Sequence, residues 1–103
     1  MLTIDEIKSK IAPVCMKYDI QFAYLFGSYA RGEATEKSDV DIRIEAGNSK
    51  KLSGLLQVCI CENELADSLQ KRVHLLTMMP QDEINSIIRK NIMSDEVLIY
   101  GNQ

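Results

Sequence analysis

The stretch Leu25–Ile44, LFGSYARGEATEKSDVDIRI, decides the fold, because it joins two strand-like segments of different character through a glycine-bounded turn and a short helix or loop. In its second half Val40, Ile42 and Ile44 alternate with Asp39, Asp41 and Arg43, the period-two pattern of a strand with one apolar and one charged face. Asp39 and Asp41 are therefore expected on the same side. Carboxylates two residues apart on a strand lie about 7 Å from each other and, at an effective dielectric of 20, repel by roughly 2 kcal/mol. A bound divalent cation removes that penalty. Mg²⁺ suits such a place, since it takes one or two protein carboxylates and completes its shell with water and substrate phosphates. In the first half, Tyr24, Leu25 and Phe26 end a strand at Gly27, where the missing side chain lets a ligand approach the backbone. Ser28 then offers a hydroxyl, Arg31 a planar cation matched to phosphate, and Gly32 a turn that brings the chain back towards Asp39.

Taken together, GSYARG followed by SDVDI resembles the minimal nucleotidyltransferases, small members of the DNA polymerase beta-like superfamily, in which GS, a short arginine-containing turn and SD-x-D define the site. The order of helix, strand, motif, strand, helix, strand, helix and a closing VLIYG segment is similar to that family over nearly the whole chain. The resemblance implies that Ser28 contacts nucleotide phosphate within a nucleotide-binding group of Gly27, Ser28, Arg31 and Ser38, and that Asp39 and Asp41 hold Mg²⁺. It also implies a third carboxylate on the following strand. In RVHLLT that place is taken by His74, which joins Asp39 and Asp41 as the candidate catalytic set. The implied reaction is Mg²⁺-dependent transfer of AMP from ATP to a hydroxyl, with a tyrosine of a helical HEPN-domain toxin as the implied acceptor and an antitoxin role for the chain. The competing reading is a nucleotide- or partner-binding module that neutralises its partner by association. It is motivated by His74, since imidazole is a poorer ligand for Mg²⁺ than carboxylate, although it can accept a proton near neutral pH. Asp67 and Glu45 are further carboxylates that could stand in for the third one.

The rest of the chain fits one nucleotidyltransferase domain spanning residues 1–103, a length near that of a single hydrophobic core. With 46% hydrophobic and 26% charged residues, disordered and fibrous classes are excluded. No apolar run reaches membrane-spanning length, and MLTIDEIKSK lacks the basic and apolar regions of a signal peptide, so a cytoplasmic protein without a membrane partner is expected. Cys15, Cys59 and Cys61 read as reduced, buried thiols; with a single histidine, the C-x-C pair falls short of a zinc set. A net charge of −3 and a pI near 5.1 give no basic footprint for long nucleic acids, which leaves mononucleotides or a protein partner.

A T-x-x-E capping box at Thr3–Glu6 starts a helix near Ile4, with Ile4, Ile7, Ile11, Val14 and Tyr18 at helical spacing and a kink or break expected at Pro13. A first strand is expected over 21–26. A helical stretch follows from Lys50 to about Gln70, with Leu52, Leu55, Leu56, Cys59, Ala66 and Leu69 as its core stripe; Glu62–Glu64 interrupt it and allow a bend or two shorter helices. Lys50, Lys51, Lys71 and Arg72 read as solvated helix ends. Val73–Thr77 reads as the third strand, with Val73 and Leu75 inward and His74 on the site side. Pro80 opens a further helix carrying Ile84, Ile87, Ile88 and Asn91, and Val97–Tyr100 is an apolar run suited to an edge strand or to packing across the sheet. The fold class that follows is α+β, the nucleotidyltransferase fold implied by the resemblance, with a small mixed sheet and helices mainly on one face. Burying Val40, Ile42 and Ile44, at about 1.5 to 3 kcal/mol each, fixes the register, since a one-residue slip would bury Asp39 and Asp41 instead.

Overall fold

A computed structural model describes residues 2–46, 50–77 and 96–101. Helix α1 (Ile4–Lys17) opens on the capping box. The Thr3 hydroxyl accepts from the Glu6 amide at 3.1 Å, and the Glu6 carboxylate accepts from the Thr3 amide at 3.2 Å. Ile7, Ile11, Val14 and Cys15 form its buried stripe. The helix runs through Pro13 without a break. Pro13 is exposed, and Ile11, Val14 and Cys15 are anchored in the core on either side of it, so packing outweighs the lost amide hydrogen bond.

The chain then forms β1 (Phe22–Phe26), α2 (Gly27–Arg31), β2 (Val40–Glu45), α3 (Leu55–Leu69), β3 (Val73–Thr77) and β4 (Val97–Tyr100). The sheet order is β3-β2-β1-β4, with β1 antiparallel to β2 and β4, and β2 parallel to β3. The parallel pair needs a crossover, which α3 supplies. Of the two places that its apolar run allows, Val97–Tyr100 takes that of an edge strand, paired with β1. Ile7, Ile11, Val14 and Cys15 of α1 and Cys61, Leu65 and Leu69 of α3 pack with Ala23, Leu25, Val40, Ile42, Ile44, Val73, Leu75 and Ile99 of the sheet in one core. Val40, Ile42 and Ile44 are at most 1% exposed, so their burial sets the register of β2 and leaves its alternate side chains on the other face.

Three expectations need correction. The second long helix begins at Leu55, after a turn over 50–54, and continues through Glu62–Glu64 without a bend. Its core line is Cys61, Leu65 and Leu69 with Val58 and Ala66 packed against them, while Leu55 (81%) and Leu56 (68%) are exposed, as is Cys59. At 3.6 residues per turn, Cys59 and Leu56 fall roughly a third and a half of a turn away from that line. An N-terminal half that is apolar nearly all round leaves its inward face undetermined, and Leu65 and Leu69 decide it. The third correction follows: Cys15 and Cys61 are buried free thiols, but Cys59 is not buried. The helix expected after Pro80, with Ile84, Ile87, Ile88 and Asn91, lies outside the described residues. No described helix is long and apolar enough to cross a membrane.

Candidate active site

β2 lies between β1 and β3, and Asp41 is in register with Phe26 on one side and His74 on the other. β1 ends at Phe26 and the chain passes directly into Gly27, so the glycine arrives beside the Asp41 carboxylate. Gly27 has φ +71°, and a Cβ placed there would overlap Asp41 Oδ2. Only glycine meets both conditions, the backbone angle and the close approach. On the opposite flank, His74 Nδ1 is 3.4 Å from Asp41 Oδ1. Strand alternation puts Val73 and Leu75 in the core and His74 outside, where its side chain is 62% exposed against 23% for Asp41. The two oxygens of Asp41 thus face different neighbours, the GS turn and an imidazole.

Burial holds the Asp41 carboxyl above the usual carboxylate range and the charge of Asp39 adds to this, while His74 and Arg31 pull it back. Asp39 is exposed and immediately precedes β2. Arg31 ends α2, where it pairs with Glu33 at 3.3 Å, and Gly32 at φ +73° turns the chain away. Ser28 is half-buried beside Gly27, in a first turn that no side chain caps. Ser38 is placed differently from a free ligand: its hydroxyl accepts from the Thr35 amide at 2.8 Å and shapes the turn that delivers Asp39. Lys71, read from the sequence as a solvated helix end, anchors this loop by donating to the Glu36 carbonyl at 2.7 Å. Lys51 likewise donates to the Lys17 carbonyl at 3.0 Å and pairs with Asp19.

Arg43 was expected on the charged face, and its side is right, but it is 2% exposed. Its Nε and Nη2 donate to the two carboxylate oxygens of Glu96 at 2.9 and 2.8 Å, and its Nη1 donates to Glu45 at 2.8 Å. The guanidinium also lies over the Tyr24 ring, 4.2 Å from its centre. This cluster ties β2 to β4 across β1. Tyr24 and Arg43 share a face in the strand pattern, which hints at their contact; nothing local signals Glu96. Glu45 is thereby engaged by Arg43, and Asp67 lines a groove between α1 and α3 with Pro13, Val14, Lys17, Glu64 and Ser68. Neither stands as the third carboxylate. Among the described residues no three His, Cys, Asp or Glu are drawn together closely enough to hold an ion by themselves. The donor set therefore fits a cation that brings ligands of its own, as one bound with a triphosphate does.

The family described as polymerase beta nucleotidyltransferase matches residues 9–103. A Methanocaldococcus jannaschii chain, provisionally named a protein adenylyltransferase, is 38% identical over 93% of this chain and 97% of its own length. Protein adenylyltransferase MntA of Thermococcus cleftensis is 31% identical over 96% of this chain and 98% of its own. A solved structure, described as a tri-AMPylated Shewanella oneidensis HEPN toxin in complex with MNT antitoxin, shares the fold with a TM-score of 0.69 at 18% identity, covering 98% of this chain and 75% of that one. With its glycine-serine turn set against an aspartate strand, and with relatives aligned over nearly their full length, the chain belongs to the polymerase beta nucleotidyltransferase family.

Proposed function

We propose that the protein transfers AMP from ATP to a tyrosine hydroxyl of a HEPN-type toxin and so acts as its antitoxin. The observation that carries this reading is the position of Asp41, pressed against Gly27 on one side and facing His74 on the other. Ser28 hydrogen-bonds the phosphates that enter over Gly27, and Arg31 exchanges its exposed partner Glu33 for a phosphate oxygen. Asp39 and Asp41 would hold a divalent cation, Mg²⁺ or a relative, which offsets their repulsion and the charge of the triphosphate. The tyrosine oxygen attacks the α-phosphorus, the bond to the bridging oxygen breaks, and pyrophosphate leaves. In this reading His74, exposed beside Asp41, takes the hydroxyl proton. The acceptor class is supported by the adenylyltransferase names of the relatives and by the fold shared with an antitoxin bound to an AMPylated HEPN toxin.

A second reading, a binding module that neutralises its partner by association, is favoured by His74: an imidazole faces Asp41 at the place where the resemblance implies a third carboxylate. Incubating the protein with a divalent cation, α-labelled ATP and the HEPN-type product of an adjacent reading frame separates the two. Label on a partner tyrosine is the expected outcome. A stable complex that never acquires label establishes the binding module instead.

A further inference from the structure

Asp39 is exposed and immediately precedes β2, so its direction depends on the loop that delivers it. We propose that Lys71 is a positioning residue for the reaction: by holding the 34–39 loop through the Glu36 carbonyl, it sets where Asp39 meets the cation of the incoming nucleotide. This rests on the active-site reading above and adds to it a residue outside the motif. The loop is tied mainly to itself. The Thr35 amide donates to Ser38 Oγ at 2.8 Å, the Ser38 amide to the Thr35 carbonyl at 3.0 Å and the Lys37 amide to Thr35 Oγ1 at 3.3 Å. These bonds shape a turn without fixing where it lies against the fold. Among the described residues, the 2.7 Å bond from Lys71 Nζ to the Glu36 carbonyl is the one hydrogen bond that joins residues 34–39 to another part of the chain. Its donor is charged, which makes it stronger than a bond between neutral groups.

Lys71 itself stands on a fixed backbone. Gln70 closes α3 in the left-handed region at φ +53°, and the Lys71 amide donates back to the Ala66 carbonyl at 3.2 Å. The Arg72 carbonyl, next along, accepts from the Val40 amide at 2.9 Å. Asp39 is therefore bounded by the sheet on one side, through Val40, and by Lys71 on the other, through the turn at Glu36. The same ammonium lies over the ring of Tyr29, 6.0 Å from its centre, and Tyr29 is buried in α2 directly after Ser28. One side chain thus ties the loop before Asp39 to the helix that carries the glycine-serine turn. Ser28 and Arg31 sit on α2 rather than on the loop, so the contacts they make with phosphate do not depend on this tie, whereas the contact of Asp39 with a cation does.

The test compares wild type, Lys71→Met and Lys71→Arg by titration calorimetry with ATP, once with Mg²⁺ and once with EDTA, and records their melting temperatures. Methionine keeps an apolar stem and loses the donor, while arginine keeps a charged donor. In Lys71→Met the affinity for ATP with Mg²⁺ is expected to fall about tenfold, the size of one hydrogen bond to a charged group. Its affinity in EDTA is expected to match wild type, and its melting temperature to stay within a few degrees. Lys71→Arg is expected to restore the response to Mg²⁺. An unchanged response in Lys71→Met, or an equal loss in EDTA that would make Lys71 a direct phosphate contact, overturns the proposal and leaves the nucleotidyltransferase reading intact. Failure of Mg²⁺ to strengthen ATP binding by the wild type overturns both.

Discussion

Gly27 and Gly32 have nearly the same backbone angle, φ +71° and +73°, yet they stand in different surroundings. A side chain at Gly32 meets nothing within 4 Å, whereas at Gly27 it meets the Asp41 carboxylate. Gly32→Ala therefore carries only the strain of a left-handed alanine, about 1 to 3 kcal/mol, and should keep cation-dependent ATP binding. Gly27→Ala carries that strain and displaces Asp41, so calorimetry should show the cation dependence lost. Equal behaviour of the two variants would refute the close approach. Asp41 itself illustrates a site maintained against stability. Because its folded-state carboxyl lies above the usual range, mainly through burial, its contribution to stability is present at acid pH and is lost as pH rises through the raised value. Asp41→Asn should melt a few degrees higher than wild type at pH 7 in EDTA, with the gain fading towards the carboxylate range, and should no longer be stabilised by cation plus ATP. The thiols divide in a comparable way. Burial pushes Cys15 up to about 12 and Cys61 up to about 11, while Cys59 is exposed on α3. A disulfide reagent should label one thiol in native protein and all three after unfolding.

At the scale of elements, β2 was legible because every cue along it agrees: β-branched residues on one face, carboxylates on the other, and a turn before it. The capping box of α1 and the span of β3 were legible for the same reason, since each is decided within a few residues. α3 was not, because Leu55, Leu56 and Cys59 look as apolar as Leu65 and Leu69, and only the sheet selects which line turns inward. The Arg43 cluster was hidden for a different reason, as Glu96 lies 53 residues away in sequence. Its energetic weight can be read against the surface pair Arg31–Glu33. Removing one partner of a buried ion pair typically costs 3–5 kcal/mol, and here Glu45 remains to hold part of the charge, so Glu96→Ala should cost about 3 kcal/mol in urea unfolding. Glu33→Ala, with both side chains exposed, should change stability by less than about 1 kcal/mol. A Glu96→Ala loss no larger than that of Glu33→Ala would mean that the cluster does not hold β4 in place.

For the whole molecule, the question is what the site can attract. The chain carries 12 basic and 15 acidic residues. Several of the basic ones are already engaged: Arg43 is buried among carboxylates, Lys17 pairs with Glu64, Lys51 with Asp19 and Arg31 with Glu33. A polynucleotide is held largely by neutralising successive phosphates with lysine and arginine, each contact releasing counterions, and a surface with a negative balance and paired cations offers little of this. ATP differs because the cation that accompanies it compensates the aspartates, and one arginine is enough for the remaining charge. A folded protein that presents a hydroxyl needs no phosphate track at all. Electrophoretic mobility assays at moderate salt should therefore show no shift of single-stranded RNA or DNA at micromolar protein, while ATP binding persists under the same conditions. Submicromolar RNA binding that weakens steeply with added salt would identify a basic track on this surface and move the acceptor from protein to nucleic acid.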